Sequence, residues 1–61
     1  MHLATLQVVR LGDWLVKASS LDDQILIFLH NERTIRTHIK MFYDEEVAHE
    51  FIERFIHDQG P

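Results

Sequence analysis

Three sets of side chains in this sequence are of types that do chemistry. His49, Glu53 and His57 recur every four residues. Imidazole and carboxylate are zinc ligands, and a spacing of four returns a side chain to one face of a helix. The three nevertheless spread over two turns, too far for one ion to engage them all. The His-Glu-x-x-His pattern, which sets two histidines one turn apart, is absent. The plain role of this set is a solvated helix face, with His–Glu pairs worth about 0.2–0.5 kcal/mol. No metal is expected.

The second set is Arg33, Arg36, His38 and Lys40. From Arg36 onward the basic residues alternate with apolar ones. On an extended strand, alternate side chains lie about 7 Å apart on one face. That spacing resembles the separation of successive phosphates in a nucleic-acid strand, and Phe42 adds an aromatic at the end of the row. These four residues are therefore a candidate patch for nucleic acid or for an acidic protein. On an edge strand the same cations also discourage edge-to-edge pairing.

The third set is diffuse. His2, His30, His38, His49 and His57 do not cluster along the chain. Asp22-Asp23 and Glu45-Glu46 are sequence neighbours, and neighbours point apart on a strand or a helix. Ser19 and Ser20 sit in no nucleophile motif, and no glycine-rich phosphate loop is present. There is no cysteine, so disulfides, thiolate metal sites and cysteine nucleophiles are excluded. A chain of 61 residues also has little room for a closed pocket of several hundred Å³. The expectation is a protein that is not an enzyme and carries no cofactor.

The elements that must position these residues follow from periodicity. Residues 3–10 alternate as a first strand, with Ala4, Leu6 and Val8 on one face. Gly12-Asp13 supplies turn chemistry, since Gly accepts positive φ and Asp bonds its own backbone. Residues 14–18 form a short second strand with Trp14, Val16 and Ala18 on one face, and 19–23 break the pattern. Residues 24–30 form a third strand, Asn31-Glu32-Arg33 a hairpin loop, and 34–43 a long fourth strand. A helix from Leu21 to Leu29 is the rival for the third strand, because Leu21, Ile25, Phe28 and Leu29 fit helical spacing. The brevity of Ile25–Leu29 and its Ile and Phe residues favour the strand.

A helix over about 45–58 follows. Asp44 is its N-cap, accepting from the amides of the first turn, and Glu45 and Glu46 suit the positive end of the helix dipole. Val47, Ala48, Phe51, Ile52, Phe55 and Ile56 form an apolar stripe of period near 3.6. The predicted architecture is α+β: a small antiparallel β-meander of three to four strands, with one C-terminal amphipathic helix packed on one face. Residues 1–61 make one domain.

Composition agrees with a small folded domain. The chain is 46% hydrophobic, too apolar for disorder. No segment approaches the roughly 18 apolar residues of a membrane span, and no signal-peptide core follows the N-terminus. A soluble, cytoplasmic protein that does not bind membranes is expected. The net charge of −4 is uneven. Residues 1–43 carry five basic and four acidic groups, whereas 44–61 carry one basic and six acidic. A bulk electrostatic case for nucleic acid is weak, and a local basic patch is left open.

One helix covers one sheet face. Leu6, Val8, Trp14, Val16, Ile35, Ile39, Met41 and Tyr43 are expected beneath it, with the cationic row of the fourth strand facing away. Ile25 to Leu29 is apolar at every position, so either Leu26 and Phe28 or Ile25, Ile27 and Leu29 must project from the uncovered side. Val9, Leu15 and Phe42 are expected to join them. Leu15, Leu26, Phe28 and Phe42 are the candidate partner-binding residues. A second copy of the chain, or another protein, would cover them.

The junction "FYDEEVAHEFIERFI" resembles many small α+β domains in which a last strand leads into an acidic-capped amphipathic helix. The resemblance spans about fifteen residues and carries no chemistry. Size, acidity and lack of catalytic groups suit a small accessory, regulatory or inhibitory protein, like those of phages and mobile elements, an analogy of size class only.

Overall fold

The computed structural model describes residues 3–59. Met1, His2, Gly60 and Pro61 lie outside them. Four strands, β1 (Leu3–Leu11), β2 (Trp14–Leu21), β3 (Gln24–Asn31) and β4 (Arg36–Phe42), precede one helix, α1 (Glu45–Gln59). The strands form an antiparallel meander in the order β1-β2-β3-β4. The helix packs on one face, so the architecture is the predicted α+β meander. No helix among the described residues is long and apolar enough to cross a membrane.

Two of the hairpins are tighter than expected. Gly12-Asp13 joins β1 to β2, with Gly12 at φ 60. Asp22-Asp23 joins β2 to β3, with Asp22 at φ 55. The expected break over 19–23 is therefore only that dipeptide, and Ser19, Ser20 and Leu21 belong to β2. Their antiparallel partners Leu26, Ile25 and Gln24 outweigh the weak strand preference of serine. The rival helix over Leu21–Leu29 does not form. Residues 32–35 form the third connection, and β4 starts at Arg36 rather than Thr34. The Asn31 side chain organises this loop, its Oδ1 accepting from the amides of Arg33 and Thr34 at 3.0 Å each. The Glu32 amide donates to the Asp13 carbonyl at 2.8 Å, and Glu32 also pairs with Arg10. The first and third turns are thus tied together.

Asp44 caps α1 as its position requires. Its Oδ1 accepts from the Glu46 amide at 2.8 Å, and its carbonyl accepts the first helical bond, from the Ala48 amide, at 3.0 Å. The core lies between α1 and the central strands: Val16, Ala18, Ile25, Ile27 and Leu29 meet Ala48 and Ile52. Trp14 extends it edge-on to Phe55, with ring centroids 5.1 Å apart and planes at 87°. That geometry matches the quadrupoles of the two rings.

The phase of the outer strands is opposite to the one expected. In the β3–β4 register Ile25 faces Phe42, Ile27 faces Lys40 and Leu29 faces His38. Directly paired residues share a sheet face, so Arg36, His38, Lys40 and Phe42 lie on the helix side and Ile39 and Met41 on the other. Phe42 packs against Phe51 at 5.3 Å between ring centroids. That contact, at the last residue of the strand, fixes the parity of the whole strand. On β1, an irregularity between Thr5 and Gln7 shifts the register. Beyond it Val9 pairs with Val16 and packs on the core, while Val8 turns away. Of the residues expected under the helix, Trp14 and Val16 lie there; Val8, Ile39 and Met41 lie on the opposite face. Ile35, Tyr43 and Val47 are exposed.

Candidate interaction surface

The face away from the helix can be built row by row from the three registers. One row is Val8, Lys17, Phe28 and Ile39; a second is Thr5, Ser19, Leu26 and Met41; a third is Arg10, Leu15, His30 and Thr37. Six of these are large and apolar: Val8, Leu15, Leu26, Phe28, Ile39 and Met41. Leu15, Leu26 and Phe28 are half-buried by their sheet neighbours. Ile39, Val8 and Met41 are 59%, 56% and 48% exposed. No element among the described residues lies over them.

Leu15, Leu26 and Phe28 are therefore where the candidate partner site was expected. Phe42 is not: it stands on the helix side against Phe51, because Phe28 and Phe42 fall on β3 and β4 positions of opposite parity. Val9 is turned from the open face by the register shift between Thr5 and Gln7 on β1. Val8, Ile39 and Met41 belong to this surface and were assigned beneath the helix. The alternation of β4 was plain in the sequence, but alternation gives two rows without saying which row faces inward.

The other six members of these rows are polar: Thr5, Arg10, Lys17, Ser19, His30 and Thr37. His30 Nδ1 and Thr37 Oγ1 share a hydrogen bond of 2.8 Å across the strands. Arg10 is engaged by Glu32. Lys17 is half-buried. Ser19 is 0% exposed, and its Oγ has no hydrogen-bond partner. The face holds no carboxylate: the acids of residues 3–43 sit in the connections, at Asp13, Asp22, Asp23 and Glu32.

The basic row is an edge feature on the other side of the sheet. Arg33, Arg36, His38 and Lys40 are all exposed, and none of them forms an ion pair with another described residue. Arg36, His38 and Lys40 face the helix side yet stay in water, because the core forms over β2 and β3 and β4 lies at its margin.

The helix histidines pair locally. His49 Nε2 lies 3.3 Å from Glu53, and His57 Nδ1 lies 3.7 Å from Asp58. His57 thus turns toward its sequence neighbour, away from the His49–Glu53 pair. A shallow groove of about 190 Å³ runs between β1 and α1, floored by Ala18, Ile25, Ala48 and Ile52 and flanked by Leu6 and His49. Its walls are mostly aliphatic and bring together no nucleophile with a base. Comparison of the chain with protein-family models, curated proteins and solved structures returned no match.

Proposed function

We propose that this protein is a non-enzymatic protein–protein interaction module, acting as a homodimer or as a small regulator or inhibitor of a larger protein. The observation that carries this is the open sheet face, where Val8, Leu15, Leu26, Phe28, Ile39 and Met41 stand together with no element among the described residues over them. A contiguous apolar surface of several hundred Å² is the usual mark of an interaction site in a small protein. Phe28 lies at its centre and is the natural anchor, since aromatic residues dominate interface energetics. Capture from the native host lysate on wild-type and Phe28→Asp baits tests the proposal. A protein, or the chain's own copy, retained by the first and lost from the second supports it. Equal recovery on both baits, with the variant still folded by circular dichroism, sinks it.

Nucleic-acid binding is the second reading, favoured by the exposed and unpaired Arg33, Arg36, His38 and Lys40. The two surfaces lie on opposite sides of the sheet, so they are separable by mutation. Titration of labelled single- and double-stranded oligonucleotides across a salt series would give a log–log slope near −0.7 to −0.9 for each phosphate engaged. The double variant Arg36→Glu/Lys40→Glu would abolish that binding while leaving a contact through Phe28 intact.

A further inference from the structure

The sheet has two edges, and they are not alike. β1 is interrupted by the irregularity between Thr5 and Gln7, whereas β4 pairs with β3 through seven successive residues, Arg36 to Phe42, without a shift. No strand among the described residues lies beyond β4, and six of its seven residues are exposed. In an antiparallel pair the backbone groups of alternate residues bond to the partner strand, so the remaining ones on β4 point outward as donors and acceptors. We propose that the β4 edge takes up an extended acidic segment of another protein as an added strand, one in which carboxylates alternate with apolar side chains. The site stands apart from the open-face proposal and needs no contact through Phe28.

The two rows of β4 set the pattern of that segment. Directly paired residues share a sheet face, so alternate side chains of an added strand would stand beside Arg36, His38 and Lys40, and those between them beside Thr37, Ile39 and Met41. Arg36 and Lys40 are exposed cations with no ion pair among the described residues. Opposite charges placed directly across a strand pair attract, and His38 can donate to a carboxylate from a ring N–H. Ile39 and Met41, 59% and 48% exposed, continue the apolar block of the open face to its edge. Glu or Asp at alternate positions, with Val, Ile or Leu between them, satisfies both rows at once. In strand addition the main-chain bonds supply affinity and the alternate side chains supply selectivity.

Charge excludes a second copy of the chain at this edge. β4 holds no acid, so pairing two copies of it would crowd cations without a counter-charge, the device by which edge lysines keep a sheet from joining its own kind. β1 of a second copy has Arg10 as its one charged residue and brings no carboxylate either. A nucleic-acid strand suits the edge less well than a peptide. It would use the cations but leave the outward backbone groups without a ladder, and Phe42, the aromatic at the end of the row, is packed on Phe51 instead of standing free to stack a base.

Titration of the full chain into a labelled Glu-Val-Glu-Val-Glu peptide, followed by fluorescence anisotropy, tests the inference. The peptide should bind, and amide shifts in NMR spectra should concentrate on β4 and spare β1. Of two peptides N-methylated at opposite sets of alternate residues, one should bind roughly tenfold more weakly than the other, because only one set of amides faces the edge. The double variant Arg36→Glu/Lys40→Glu should lose the acidic peptide and gain Lys-Val-Lys-Val-Lys, a reversal that an unfolded variant cannot show. Phe28→Asp should leave the binding unchanged. Failure of the acidic peptide to bind overturns the inference; if a single-stranded oligonucleotide binds in its place and the double variant loses it, the cations serve nucleic acid. Equal binding of the two N-methylated peptides, or of a Glu-Glu-Glu-Val-Val control, reduces the contact to charge alone and also overturns it. Loss of binding in a folded Phe28→Asp variant moves the contact to the open face, which overturns the edge site and supports the interaction-module proposal.

Discussion

Phe28 stands directly opposite Ile39 in the β3–β4 register, on the sheet face that α1 does not cover. Its sequence neighbour Ile27 stands opposite Lys40 and is 0% exposed beneath the helix. Two adjacent apolar residues on one strand therefore have different duties. Ile27 holds the monomer together, and Phe28 completes a surface.

That difference is measurable. Ile27→Ala should cost about 2–5 kcal/mol by loss of buried area and the cavity left behind, a large share of the stability of so small a domain. Phe28→Ala should cost the monomer clearly less. Urea denaturation at submicromolar concentration, where association is suppressed, checks the contrast. Equal losses would place Phe28 in the core.

Ser19 is buried with an unpartnered hydroxyl, paired on either side with Thr5 and Leu26. Leaving a buried polar group unsatisfied costs about 1–3 kcal/mol. Ser19→Ala removes that group and keeps the volume nearly unchanged, so it should raise stability by about 1 kcal/mol. A melting temperature that falls would mean the hydroxyl has a partner in solution.

Gly12 and Ile35 make opposite predictions about backbone conformation. Gly12 has φ +60, and a methyl group there would meet nothing within 4 Å. The cost of Gly12→Ala is therefore conformational alone, about 1–2 kcal/mol for a left-handed residue with a Cβ. Ile35 occupies the same region at φ 56, with a β-branched side chain that is 81% exposed. Ile35→Asn, a residue that tolerates this conformation, should gain about 1 kcal/mol. Paired chemical denaturation curves of the two variants would show shifts of opposite sign.

The Asp44 cap is the third site of local stability. Asp44→Ala removes the acceptor of the Glu46 amide and should cost about 1 kcal/mol. Asp44→Ser should recover most of it. Thermal melts followed in the helical circular dichroism band would detect both changes.

The sequence by itself determined the element types and their order. Gly12-Asp13 turned where turn chemistry sits, Asp44 capped the helix, and Ala48 and Ile52 became its buried centre. These features are local: a cap, a turn and a period are each decided within a few residues. That one apolar row of β3 must project from the uncovered side was also legible, because an unbroken apolar strand presents two apolar faces; which row, Leu26 and Phe28 or Ile25, Ile27 and Leu29, was not.

Tertiary structure alone decided which row of each outer strand faces the helix. Alternation on β4 offered Ile39 and Met41 as an obvious inner row, yet Phe42 docks on Phe51 and turns that row outward. On β1, a register shift between Thr5 and Gln7 reverses the phase from Val8 to Val9. A strand has a period of two, so one residue's displacement exchanges its faces completely, and the energy that selects the phase comes from contacts distant in sequence. The position of the apolar block, and with it the surface most suited to a partner, follows from those contacts.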